Sequence, residues 1–127
     1  MAISILIVDD SATMRGYIKR TLQATTIPLG EILEASNGRE GLDQMKAHWV
    51  DLVLADLNMP DMTGVEMIDH MAAEPMLAVL PVVVVSSEGD QAVLHSLIQR
   101  GVKEIIRKPF QPKMLEEVIE KVLALTE

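Results

Sequence analysis

Fourteen residues in the middle of the chain restrict its fold more than any others. From Asp51 to Gly64 they read Asp-Leu-Val-Leu-Ala-Asp-Leu-Asn-Met-Pro-Asp-Met-Thr-Gly. The apolar run from Leu52 to Ala55 is too short and too uniform for an amphipathic helix. It fits a strand buried on both faces, the kind that parallel sheets contain. The run stops on a carboxylate, Asp56, and the turn and loop residues Asn58, Pro60 and Gly64 follow. One acid therefore stands at the carboxyl end of a central strand, the edge where open α/β sheets bind ligands.

The same alternation runs along the whole chain. Residues 3–8 form an apolar strand ending in Asp9-Asp10, and Ser11 or Thr13 caps the helix that follows. Met14, Ile18 and Leu22 give that helix one apolar face, and Pro28 and Gly30 close it off. Residues 31–35 read as a second strand. Asn37-Gly38 opens a second helix, with Leu42 and Met45 inward and an end near His48-Trp49. A third helix is expected over 63–74, with Met67, Ile68 and Met71 on one side and Pro75 as its stop. Residues 82–85 are a β-branched strand ending at Ser86. Gly89-Asp90 begins a fourth helix with Val93, Leu94, Leu97 and Ile98 inward and Gly101 as its cap. Residues 102–106 form a fifth strand that runs into Arg107-Lys108-Pro109. After Pro112, the residues Leu115, Val118, Ile119, Val122 and Leu123 trace the stripe of a last amphipathic helix. Strand then helix, five times over, implies right-handed βαβ units and a parallel sheet covered by helices. The expectation is one α/β domain over 1–127, with no linker and no effector domain.

Composition removes several classes of function. There is no cysteine, so thiol catalysis, thiolate metal sites and disulfides are excluded. The net charge of −8 leaves no basic footprint for nucleic acid or anionic lipid. Three aromatic residues, Tyr17, Trp49 and Phe110, are too few for a flavin or base-stacking site. No apolar run reaches membrane-spanning length and the start lacks a basic leader, so a cytoplasmic protein without membrane insertion is expected.

The strand ends carry the chemistry. The first gives Asp9 and Asp10, the third Asp56, the fourth Ser86 and the fifth Lys108. In a parallel sheet these ends share one edge. Three carboxylates placed together repel one another unless a cation joins them. Mg²⁺ suits this set, being a hard ion that takes oxygen ligands and keeps positions open for water and phosphate. Asp10 and Asp56 are candidates for direct ligands, Asp9 for one acting through water, and the Asn58 backbone carbonyl for a further oxygen. Asp56 can then act as a nucleophile toward phosphorus, forming an acyl phosphate. Lys108 and Ser86 would hold the other equatorial oxygens. Asn58 and Glu88 flank the approach of water and are candidates for setting the lifetime of the adduct. Taken singly, each residue has a plainer explanation. Asp-Asp and Ser after a strand are common helix caps, and Lys-Pro before a helix is a common loop. Those explanations do not account for all of them falling at successive strand ends. His48, His70 and His95 lie in three different helices without metal-ligand spacing, and read as solvated or half-buried helix residues.

With these residues in place, the sequence resembles the receiver domain of two-component response regulators over essentially its whole length. The resemblance rests on Ile7-Val8-Asp9-Asp10-Ser11, Asp56-Leu57-Asn58-Met59-Pro60 with Gly64, Val84-Val85-Ser86, and Lys108-Pro109-Phe110. It implies a flavodoxin-like (βα)₅ fold with a five-stranded parallel sheet in the order 2-1-3-4-5. It also implies Asp56 as phosphoacceptor, Asp9 and Asp10 as the Mg²⁺ acids, Ser86 as the switch hydroxyl, Lys108 as the phosphate-pairing lysine, and a cis Lys108–Pro109 peptide. One position departs from the pattern. Three residues before the lysine the family often carries a Tyr or Phe switch, and here stands Ile105, which has no hydroxyl to report with. The resemblance implies a stand-alone regulator. Its donor would be a sensor histidine kinase or phosphotransfer protein, and its output a downstream protein bound at the face of the fourth helix, fifth strand and fifth helix (91–123).

Rival readings fit the residues less well. A haloacid-dehalogenase-type phosphatase also uses a strand-end Asp, but usually after the first strand as Asp-x-Asp, and beneath a cap that this chain lacks. A flavin carrier would need a Gly- and hydroxyl-rich loop where Asp9-Asp10 stand. A binding-only relative would have lost site residues that are all present here. Gly-x-x-x-x-Gly-Lys is absent, which removes P-loop chemistry.

Overall fold

The computed structural model describes residues 2–124. Its strands are β1 (Ile3–Val8), β2 (Leu29–Ala35), β3 (Leu52–Ala55), β4 (Val82–Ser86) and β5 (Glu104–Arg107). Its helices are α1 (Ala12–Gln23), α2 (Gly38–Ala47), α3 (Gly64–Ala72), α4 (Pro75–Ala78), α5 (Gln91–Gln99) and α6 (Pro112–Leu123). All strand pairs are parallel, in the order β2-β1-β3-β4-β5. This is the flavodoxin-like sheet that the family resemblance implied.

The inner strands are apolar throughout because both faces of the sheet are covered. Leu52 and Leu54 face one layer, with Ile5, Ile7, Ile18, Leu22, Val83, Val85, Leu115 and Ile119. Val53 and Ala55 face the other, with Leu6, Val8, Leu42, Met67, Leu77, Val84 and Leu97. Helices α1 and α6 cover the first face, and α2, α3 and α5 the second. Each helix start has a local cause. Ser11, Asn37, Thr63 and Asp90 accept a hydrogen bond from a backbone N–H in the first turn of α1, α2, α3 and α5, and Thr63 with Glu66 forms a full capping box.

The structure corrects four local expectations. Among the described residues there are six helices, not five, because Pro75 does not merely stop α3. It occupies the first turn of the short α4, where its missing N–H costs nothing. Gly30 does not close off α1 but lies inside β2, which begins at Leu29. A Cβ at Gly30 would lie 2.9 Å from the Ser4 hydroxyl oxygen, so glycine permits the close pairing with β1 there. Residues 102 and 103 precede β5. The N–H of Val102 bonds to Leu97 O and that of Gly101 to Ile98 O, a Schellman ending in which Gly101 takes φ +99°. Finally, Ile98 is 49% exposed and does not face inward, and Leu97 is the one fully buried residue of α5.

Candidate functional site

The carboxyl ends of β1, β3, β4 and β5 meet at one edge of the sheet. The ladder continues past the strands and fixes how closely the acids approach. Asp56 N–H bonds to Val8 O at 2.9 Å, and Asp9 N–H to Ala35 O at 3.0 Å. Carboxylate oxygens of Asp9, Asp10 and Asp56 consequently lie within 4.8 Å of one another. Asp9 is buried. Its Oδ1 accepts from Ser11 N–H at 2.9 Å and its Oδ2 from Lys108 Nζ at 3.2 Å. Lys108 Nζ also lies 3.5 Å from Asp56 Oδ2. Asp56 Oδ1 accepts from Leu57 N–H at 2.7 Å. Asp10 is exposed and open to solvent.

Lys108 reaches the acids from just beyond β5. Its N–H bonds to Ser86 O at 3.0 Å, and the Lys108–Pro109 peptide is cis. Ser86 is buried, and its hydroxyl oxygen accepts from Glu88 N–H at 3.1 Å. Glu88 Oε2 in turn accepts from Asp90 N–H at 2.9 Å. Ser86 and Glu88 thus shape the turn into α5, and within the described residues neither hydrogen-bonds the acids. Asn58 is exposed on the loop after β3, which is held by the buried Met59 and Met62 and turns at Asp61 with φ +65°. Ile105, the register partner of Val84, is half-buried against the layer that holds Leu97. The three histidines are exposed and apart from the site.

The electrostatics are unbalanced. Burial pushes the Asp56 carboxyl above its ordinary range. Lys108 and the Leu57 N–H pull against that, and Asp9 adds to the rise. Three carboxylates facing one ammonium leave a formal charge of −2, which a divalent cation would cancel. The donors are all hard oxygens, and one of the three acids is open to water, so the residues present fit Mg²⁺. A carboxyl raised in the fold is penalised once it ionises. The penalty is absent below the unfolded pKa, grows as pH rises, and is complete above the folded pKa. Asp56→Asn is therefore expected to raise the melting midpoint at pH 7 in EDTA. A midpoint equal to or below wild type would show that the Lys108 contact outweighs burial.

Two supporting roles escape a reading of motifs, one at Arg15 and one at Gly64, which the motif contains but whose contact it does not show. Arg15 on α1 donates from Nη1 to the Asp9 carbonyl oxygen at 2.6 Å and from Nε to Glu34 Oε1 at 2.9 Å. Its partners are a backbone atom and a side chain 19 positions away, so no local spacing marks it. Gly64 is the second. A Cβ there would lie 2.2 Å from the Asp56 carbonyl oxygen, because α3 starts directly beneath the site.

Two concavities lie away from the acid cluster. One of about 790 Å³ is lined by Met45, Trp49, Met76, Val79 and neighbours, at the amino ends of β3 and β4.

Fold and site together define a doubly wound α/β domain whose chemistry is one acid–lysine cluster at the carboxyl edge of its sheet. The profile of the response regulator receiver domain matches residues 5–120. The chemotaxis protein CheY homolog of Campylobacter jejuni is 39% identical over 120 residues, covering 94% of this chain and 91% of that protein. Chemotaxis protein CheY of Bacillus subtilis is 37% identical over 123 residues, covering 97% and 99%. Among solved structures, chemotaxis protein CheY4 of Vibrio cholerae superposes with a TM-score of 0.87 at 28% identity, covering 97% of this chain and 100% of that one. The chain belongs to the response regulator receiver family, as a CheY-like domain of two-component signalling. Among the described residues no helix is long and apolar enough to cross a membrane.

Proposed function

We propose that Asp56 accepts a phosphoryl group from a phosphohistidine on a sensor kinase or phosphotransfer protein, and that the acyl phosphate switches a protein-binding face. The observation that carries this reading is Lys108 Nζ set between Asp9 Oδ2 and Asp56 Oδ2, at 3.2 and 3.5 Å, inside a cluster of three acids. One Asp56 oxygen attacks phosphorus and forms the new O–P bond. The P–N bond of the donor breaks, and its electron pair returns to the imidazole, which takes up a proton. Asp10, Asp56 and the Asn58 carbonyl would hold Mg²⁺, with Asp9 acting through water. When bound, the ion would neutralise the acids and one equatorial oxygen. Lys108 pairs with a second oxygen. Ser86 already accepts a hydrogen bond from Glu88 N–H, so its own proton is available for the third. Asn58 and Glu88 stand beside the path of hydrolytic water and set the lifetime of the adduct.

The output is assigned to α5, β5 and α6, the face forecast as the fourth helix, fifth strand and fifth helix. Support comes from the way α5 is seated. It is anchored by one fully buried side chain, Leu97, worth about 2 kcal/mol, so a modest change at Ser86 suffices to shift it. Gln99 is exposed on this face, and Glu104 is paired with Lys121 at 3.0 Å. Substitutions at Gln99 or Glu104 that leave partner binding unchanged in both phosphorylation states would count against the assignment. The relatives named above are chemotaxis proteins, which favours motility over a phosphorelay or transcriptional control as the output.

Phosphorylation by acetyl phosphate tests the chemistry, with intact mass as the readout. Wild type is expected to gain one phosphoryl group only with Mg²⁺ present, as an acid-stable and base-labile adduct, and Asp56→Ala none. Absence of an adduct on wild type, together with failure to bind a beryllofluoride mimic, would leave a binding-only receiver. Multiple turnover on a small phosphate ester would return the dehalogenase-type reading.

A further inference from the structure

We infer that Arg15 is a positioning residue for the divalent-cation site, holding the Asp9–Asp10 peptide in the orientation that presents the Asp10 carboxylate to the cation. The inference rests on the Mg²⁺ reading of the acid cluster given above.

The geometry is specific. Asp9 O and Asp10 N belong to one rigid peptide plane, so fixing the carbonyl fixes where the Asp10 backbone leaves it. That carbonyl lies beyond the end of β1 and is held by Arg15 Nη1 at 2.6 Å. The Arg15 guanidinium is itself held by Glu34 on β2, at 2.9 Å, and its side chain is only 17% exposed. Glu34 is the register partner of Ile7, two residues before Asp9, so the brace runs from one strand to the next. The Asp9 side chain has its own anchors in Ser11 and Lys108. Asp10 is exposed, and within the described residues its carboxylate takes no hydrogen bond. Its placement therefore depends on the backbone, which Arg15 controls. A planar guanidinium with several donors can serve a carbonyl and a carboxylate at once, as a lysine ammonium does less well.

Charge and geometry predict opposite outcomes, which makes the inference decidable. Arg15 is a positive charge beside a cation site. If charge alone mattered, its removal would tighten Mg²⁺ binding. If positioning dominates, removal weakens it, and groups that orient metal ligands typically contribute about 10–100-fold in affinity.

The test is calorimetric titration of the full chain with Mg²⁺, on wild type, Arg15→Met and Arg15→Lys. Arg15→Met is expected to bind about tenfold more weakly, and Arg15→Lys to fall between it and wild type. In acetyl phosphate reactions the Mg²⁺ concentration for half-maximal rate should rise by the same factor, with the rate at saturating Mg²⁺ retained. A general loss of stability would instead lower the melting midpoint and leave this concentration unmoved. Equal or tighter Mg²⁺ binding by Arg15→Met overturns the inference. Should Arg15→Met fail to fold, Arg15→Lys decides: weaker binding supports the inference, and wild-type binding overturns it. Absence of Mg²⁺ binding by wild type overturns both this inference and the reading beneath it. Wild-type binding with unaffected variants overturns this one alone.

Discussion

Gly64→Ala is expected to slow Asp56 phosphorylation by about 100-fold and to destabilise the fold, without touching a reactive group. A Cβ at position 64 meets three backbone atoms: Asp56 O at 2.2 Å, Leu57 Cα at 3.0 Å and Asp56 C at 3.1 Å. None is the far end of a flexible side chain. Opening the first contact to an ordinary 3.4 Å moves either the start of α3 or the Asp56–Leu57 peptide by more than an ångström. The helix start resists, being fixed by the Thr63–Glu66 capping box and by Gly64 N–H bonding to Leu57 O at 2.9 Å. The peptide therefore moves, and with it the Leu57 N–H that orients Asp56 Oδ1. Overpacking of this kind costs about 1–3 kcal/mol, and an ångström of misplacement at a reacting group costs about 100-fold in rate. The checks are the phosphorylation rate at saturating Mg²⁺ and the urea midpoint. Wild-type values in both would mean that the backbone at Asp56 is not held as described.

The second large effect concerns Lys108. Lys108→Met is expected to lower stability in EDTA by about 3 kcal/mol or more, because it strands a buried carboxylate. Asp9 is 3% exposed by side chain, and Lys108 is its charged partner at 3.2 Å. Without the ammonium, three acids whose oxygens lie within 4.8 Å of one another lose the cation that pairs with two of them. Two further results separate charge from packing. Saturating Mg²⁺ should recover much of the loss, since the ion supplies the missing counter-charge and binds the variant more tightly than it binds wild type. Asp9→Asn in the Lys108→Met background should recover part of it without Mg²⁺. A destabilisation below about 1 kcal/mol in EDTA would place the pair with surface ion pairs, which contribute little.

Most of this architecture can be read from the residues, and the parts that cannot have a common cause. β1, β3 and β4 were legible because strands covered on both faces lose their polar residues. Asp9, Asp10, Asp56, Ser86 and Lys108 were legible because a polar residue at the end of such a run stands out. The errors arose where a residue's meaning depends on what the chain brings to it from elsewhere. Pro75 stops one helix and starts another, and only the path of the following residues decides between them. Gly30 looks like a turn residue until Ser4 is seen against it. Ile98 fits the apolar stripe of α5, yet that helix buries Leu97 and turns its neighbour outward. Arg15 and Gly64 act through the backbone carbonyls of Asp9 and Asp56, just past the ends of β1 and β3, and local spacing carries no sign of such contacts.

The sheet that separates the two apolar layers has a consequence for how variation accumulates in this protein. Leu115 and Ile119 on α6 share their layer with Ile5 and Leu54, whereas Met67 and Leu97 share the other with Val53 and Val84. Side chains on opposite sides of a sheet do not compete for the same space, and distant, unshared sites add in free energy. Drift beneath α1 and α6 can therefore proceed without compensating change beneath α5. Each layer can change without disturbing the other, so a substitution behind α5 leaves the packing beneath α1 and α6 intact.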